Sequence, residues 1–193
     1  MLSLLKKIFL GVAVSLWLAG VAWGMKWMAD YSLTPGTAGA PVEDWPAPAL
    51  ARAKNRFTVV VALHPECPCS RATLEELGVI LLEGGDAIEA LLVFADELPE
   101  APARDSALYR QAATLPRTRL VVDPSAEELH RFDFHTSGET RLYRPDGRLV
   151  FRGGITGSRG HVGDNPGRSA LVTALRTGQA AKGGAPVFGC SLE

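Results

Sequence analysis

The 193-residue sequence predicts an α/β domain, a central mixed β-sheet flanked by helices, with one N-terminal transmembrane helix. Three features carry that expectation. An uncharged apolar run stands near the N-terminus. Short β-branched segments alternate with helix-patterned ones through the middle of the chain. A turn sequence then separates two strands closely enough for a hairpin, ahead of one last helix, and this order argues for one mixed sheet.

The apolar run is Ile8 to Met25, IFLGVAVSLWLAGVAWGM. At about 1.5 Å per residue it nearly spans a hydrocarbon core of about 30 Å. Lys6, Lys7 and the amino terminus outweigh Lys26 on the other side. The positive-inside rule therefore keeps the N-terminus cytoplasmic and exports the rest, with Trp23 and Trp27 at the far interface. A cleavable signal needs a small-x-small site, which is poorly formed between Ala22 and Trp27. Residues 1–29 thus read as an uncleaved single-pass anchor in the inner or cytoplasmic membrane, with the soluble domain on the periplasmic or extracytoplasmic side. Residues 30–55 carry Pro35, Pro41, Pro46, Pro48, Gly36 and Gly39 and read as an extended tether. The folded domain is expected over 56–180, and 181–193 as a C-terminal tail carrying Cys190.

Within the domain, Phe57 to Leu63 (FTVVVAL) is a strand of the type buried on both faces. HPECPCSR breaks it, and Leu74, Leu77 and Leu81 then follow at helical spacing over Arg71 to Leu82. Ala90 to Ala95 is a second buried strand, Asp105 to Thr114 a helix, and Leu120 to Val122 a shorter strand. Ser125 and Glu128 have the spacing of a capping box that opens a short helix to Phe132. Thr140 to Tyr143 and Arg148 to Arg152 flank Pro145-Asp146-Gly147 as a hairpin. A glycine-rich loop, GGITGSRGHVGDNPG, leads to a last helix over Gly167 to Leu175, which Asp164-Asn165 caps.

Net charge is −1, with 20 Lys+Arg against 21 Asp+Glu, which excludes the basic surface that a phosphate backbone needs. No nucleic-acid partner is expected. Three cysteines, an odd count, leave at least one free, metal-bound or exchanging with another molecule.

CPCSRATLEEL, directly after a buried strand, resembles the active helix of membrane-anchored thioredoxins, and ETRLYRPDGRLV resembles their hairpin. The resemblance runs from Arg56 to Leu175 and implies a thioredoxin-like fold. CPCS, GGITGSRGH-x-GDN and the terminal PVFGC together resemble more narrowly the small anchored redox proteins called RedB. The resemblance implies thiol-disulfide exchange with exported thiol or disulfide proteins, without a cofactor. It sets Cys67 in the nucleophile position and Ser70 in that of the second cysteine, with Cys69 one residue early. The proline that lines the family's substrate groove maps onto Gly138, so Thr136-Ser137-Gly138 stands in its place. Pro68, Ser70, Thr136, Ser137, Gly138 and His161 are the expected substrate-side residues.

Cys67 at a helix start has the amides and dipole that stabilise a thiolate. Two residues are candidates to resolve its mixed disulfides. A Cys67–Cys69 bridge demands a tight, strained turn, because bridged Cα atoms lie within about 4.4–6.8 Å. Cys190 sits on a tail that can extend some 50 Å beyond Leu175, at about 3.3 Å per residue. An antiparallel hairpin strand beside the first strand brings HPECPCS, HTSG and GITGSRGHVGDN to one edge. His64, His135, Arg159, His161 and Asp164 thereby come within possible reach of the thiols. A competing chemistry is copper(I) binding by Cys67, Cys69 and His64, a soft sulfur–nitrogen set suited to a metallochaperone.

Overall fold

The computed structural model describes residues 2–96 and 102–192. Its first unit is a single helix, α1 (Leu2–Leu33), of 32 residues. Leu5, Phe9, Trp17 and Trp23 stand exposed on it, and it is long and apolar enough to cross a membrane. It continues beyond residue 29, where the anchor was expected to end.

The second unit begins at Pro35 and is built on a five-stranded sheet in the order β3-β2-β1-β4-β5. These strands are β1 (Phe57–Leu63), β2 (Ile88–Ala95), β3 (Thr118–Asp123), β4 (Thr140–Tyr143) and β5 (Leu149–Gly153). The first three run parallel, and β4 and β5 are antiparallel, so the sheet is mixed as the sequence predicts. Side chains alternate across a strand, and here both faces are covered. Val59, Val61 and Leu63 of β1 and Leu92 and Phe94 of β2 face one core. That core is completed by α2 (Pro68–Gly84), α3 (Ala107–Ala112) and α5 (Pro166–Thr177). Val60, Ala62, Leu91 and Val93 face the other, with Leu129 of α4 (Glu127–Arg131), Phe132, Phe134 and Tyr143.

The segment expected as a tether has no regular helix or strand over 35–55, but it is packed along this second core. Trp45 meets Phe132 and Tyr143 edge to face, with centroids 5.3 and 5.2 Å away. Ala47 is fully buried, and the Tyr143 hydroxyl donates to Val42 O at 3.1 Å. The sequence predicts a folded domain from near residue 56; in the structure the compact unit starts at Pro35.

Two helix starts differ in their caps. Asn165 accepts from the Arg168 N–H at 2.8 Å and caps α5, with Pro166 at its first position. The expected box of Ser125 and Glu128 does not form. Ala126 instead takes the N-cap position in the left-handed region, and the Asp123 carboxylate accepts from the N–H groups of Glu127 and Leu129 at 3.1 and 2.9 Å. An acceptor at the end of β3 is already fixed by the sheet, so it satisfies two helix-start amides from outside the helix.

Candidate functional site

β1 ends at Leu63, and the chain turns at once into α2, whose N-cap is Cys67. Pro68 occupies the first helical position, where its missing N–H has no intrahelical partner to lose. The turn is closed by Cys67 N–H donating to His64 O at 3.1 Å and by Ser70 N–H donating to Cys67 O at 3.0 Å. Cys67 and Cys69 are buried, at 4% and 7% exposure, and Cys190 is partly exposed; all three are free thiols.

Opposite them lies the loop entering β4. Gly138 takes φ +91°, donates its N–H to Ala62 O at 2.7 Å, and so ties this loop to the end of β1. No described peptide bond is cis. The His64 N–H donates to Ser137 Oγ at 2.8 Å, and Ser137 Oγ lies 2.7 Å from Ser70 Oγ. Ser70 has one proton, so when it goes to His64 O at 3.4 Å or to the Cys67 sulfur, Ser137 is the donor of the Ser137–Ser70 bond. The position that would hold a second cysteine in a Cys-x-x-Cys helix is thus a buried hydroxyl.

The tail supplies the third side. The N–H of Ala181 donates to Val150 O at 2.8 Å, and Ala185 N–H donates to Arg152 O at 3.2 Å, so the tail follows β5. It then pairs antiparallel with the β4 entry loop: Ser137 N–H donates to Cys190 O, and Leu192 N–H to His135 O, both at 2.9 Å. Gly189 permits that approach, because a Cβ there would lie 1.8 Å from Ser137 O. The result is that the backbone N–H of Cys190 donates to Cys67 Sγ at 3.4 Å.

These contacts set the thiol acidities. Burial alone would raise Cys67, but hydrogen bonds from the Cys190 thiol and N–H, the Ser70 hydroxyl and the Cys69 N–H outweigh it, and its pKa lies below the ordinary thiol value. Cys190 is pushed up to about 12 by burial and by its bond to and charge repulsion from the Cys67 thiolate. Burial and the neighbouring Cys67 charge also raise Cys69, while Arg159 opposes them. Cys67 is therefore the sulfur that ionises first.

Of the remaining candidates, Arg159 reaches the site, donating to Gly189 O and interacting with Cys69. His64 serves through its backbone, and its Nδ1 accepts from Glu66 N–H at 3.2 Å. His135 likewise holds the tail through its carbonyl, while its ring faces Asp133 at 3.1 Å. His161 is exposed with its ring on Arg159 O, and Asp164 is exposed and pairs with Arg168. Neither is brought to the thiols by a contact the structure shows. No group of three or more His, Cys, Asp or Glu placed to hold a metal occurs among the described residues.

Two supports went unnoticed in the sequence. Glu139 and Arg141 form a buried pair at 3.3 Å, with Glu139 also accepting from the N–H of Gly39 and of His135. Fully buried Glu76 accepts from Gly163 N–H at 2.5 Å and Arg168 at 2.6 Å, anchoring the glycine-rich loop to α2. Isolated charges in a sequence carry no signal of such burial.

A central parallel strand running into a helix that opens on a cysteine, with an antiparallel hairpin on its other edge, defines a thioredoxin-like fold. No protein-family model and no curated protein matches the sequence. Solved structures do. An uncharacterized conserved protein from Geobacillus kaustophilus overlays with TM-score 0.61 at 17% identity, over 83% of this chain and 92% of that one. A hypothetical protein from Sinorhizobium meliloti 1021 gives 0.60 at 18% identity, over 83% and 94%. The pneumococcal exposed lipoprotein thioredoxin Etrx1 from Streptococcus pneumoniae gives 0.45 at 17%, over 71% and 98%. At such identities the first two likenesses show the fold alone.

Proposed function

We propose that this protein is a membrane-anchored, extracytoplasmic thiol-disulfide oxidoreductase of the RedB kind, whose redox couple is Cys67 and Cys190. The observation that carries the reading is the Cys190 N–H on Cys67 Sγ at 3.4 Å, at the N-cap of α2. Cys69, two residues on from Cys67 at the same helix start, also hydrogen-bonds to it through its thiol, so a Cys67–Cys69 bridge is the competing couple, one that needs a tight turn. Cys190 lies across the site and faces it. Two electrons and one S–S bond are exchanged: a partner disulfide is reduced to two thiols as the pair closes, or a partner dithiol is oxidised as the pair opens. No cofactor is needed. Pro68 fixes the turn, and Ser70, Thr136, Ser137 and Gly138 shape the wall beside the sulfurs. Partners are exported thiol or disulfide proteins, reached with α1 in the membrane and Lys6 and Lys7 on the cytoplasmic side.

The test is a thiol titration of the chain in redox buffers, with Cys69→Ala and Cys190→Ala variants and with and without Cu(I). A two-electron couple kept in Cys69→Ala and lost in Cys190→Ala is the expected result. Loss in Cys69→Ala alone would transfer the couple to Cys67–Cys69. No couple at all, together with tight thiol-dependent copper binding, would replace the reading by a metallochaperone.

A further inference from the structure

We propose that an external dithiol enters the reaction at Cys190 rather than Cys67, attacking the tail sulfur of the Cys67–Cys190 disulfide and expelling Cys67. The inference rests on the reading of these two cysteines as the redox couple, and it names which sulfur meets the partner. Three observations carry it.

The first is cover. Cys67 is 4% exposed, whereas Cys190 is partly exposed. The second is that the backbone edge beside Cys67 is already filled by the chain's own tail. Ser137 N–H and His135 O, the groups an extended partner would pair with there, are bonded to Cys190 O and Leu192 N–H. Gly189 is seated against Ser137 with no room for a side chain. The third is direction. Exchange at sulfur proceeds in line with the bond being broken, so attack on Cys190 comes from the side away from Cys67 and the start of α2. Attack on Cys67 would have to come from its own buried side.

The leaving group agrees with the geometry. A thiolate expelled at Cys67 is received by the Cys190 N–H and by the open amides of α2, and a more acidic thiol leaves faster. In the first step the partner's thiolate bonds to Cys190 Sγ, the Cys67–Cys190 bond breaks, and Cys67 departs with the electron pair. In the second the partner's other thiolate attacks its own sulfur in the mixed disulfide, forming the partner's disulfide and releasing Cys190. Two electrons pass from the dithiol to the pair; one proton goes to Cys190 and one to solvent, while Cys67 stays ionised.

The experiment uses the full chain in detergent micelles, oxidised with glutathione disulfide and freed of it. Peptide mapping first establishes the Cys67–Cys190 bridge. The oxidised protein is then exposed briefly to reduced glutathione, a monothiol that stalls at the mixed disulfide, and quenched with iodoacetamide. At the earliest times glutathione on Cys190 with carbamidomethylated Cys67 should exceed the reverse pattern by about tenfold or more. The reverse pattern, or an even mixture, overturns the entry side and leaves the redox couple standing. Failure of the Cys67–Cys190 bridge to form at all overturns both.

Discussion

Cys67 and Cys190 share a proton unequally because their surroundings differ in donors, and the inequality has a sign that can be measured. The Cys190 thiol and N–H, the Ser70 hydroxyl and the Cys69 N–H hydrogen-bond to Cys67 and favour its thiolate, while Cys190 carries the proton and sees the Cys67 charge. Alkylation of Cys67 by iodoacetamide should therefore rise with pH through a midpoint below that of an ordinary thiol. Removing a donor to a thiolate raises its pKa, so Ser70→Ala and Cys190→Ala should each move the profile to higher pH. A donor is worth about 1 kcal/mol, so the rate at neutral pH should drop about threefold to fivefold in each. An unmoved profile in both variants would mean that these donors do not set the acidity. Ser70 shows how a departure from pattern becomes legible only in three dimensions. In the sequence it is an absent second cysteine; in the fold it is a buried hydroxyl between Ser137 and His64, 2.7 Å from the former.

At the scale of elements, strong periodicity predicts the structure. β1 spans Phe57–Leu63 as expected, because seven consecutive residues with a β-branched core leave no other buried element of that length. α2 and α5 each run a few residues beyond their expected ends, where fraying turns carry little pattern. What escaped was whatever depends on a partner far along the chain. Asp123 displaced the Ser125–Glu128 box because β3 delivers its carboxylate to the helix start. Residues 35–55 looked like a tether because proline and glycine carry no periodicity, although Trp45 and Ala47 fill a core that the sheet's second face requires. The tail is the same case: its route is set by close approaches, and Gly189 is the closest at the site. A Cβ there would also come within 3.2 Å of Thr136 Cγ2, so Gly189→Ala should lift Cys190 off Cys67. Closure of the bridge in a redox buffer should then slow by about tenfold, with Cys67 newly open to a bulky maleimide, if one tail hydrogen bond and its packing are lost. Gly78→Ala, where a Cβ meets Leu115 at 3.5 Å in ordinary contact, should leave closure unchanged. Equal closure rates in the two variants would show that the tail does not depend on this contact.

For the whole molecule, a Cys67–Cys190 bridge would join residues 123 positions apart and make the redox state a global constraint. A Cys-x-x-Cys bridge closes a loop of about four residues and removes only about 2 kcal/mol of unfolded-state entropy in the chain-entropy model, whereas a loop of about 100 residues removes roughly 4–5 kcal/mol. The donors around the Cys67 thiolate act in the opposite sense, since they stabilise the reduced folded state and are lost when the bridge forms. The loop term is the larger of the two, because burial of the thiolate offsets much of what its donors, at about 1 kcal/mol each, contribute. The folded part should therefore be more stable oxidised than reduced, which urea denaturation at fixed pH would measure. Linkage gives the difference a second meaning: whatever the bridge adds to folding, folding adds to the bridge, so a stabilised oxidised form is harder to reduce. If the reduced form proved the more stable, the thiolate donors would have outweighed the loop. The pair would then be an oxidant towards its partners.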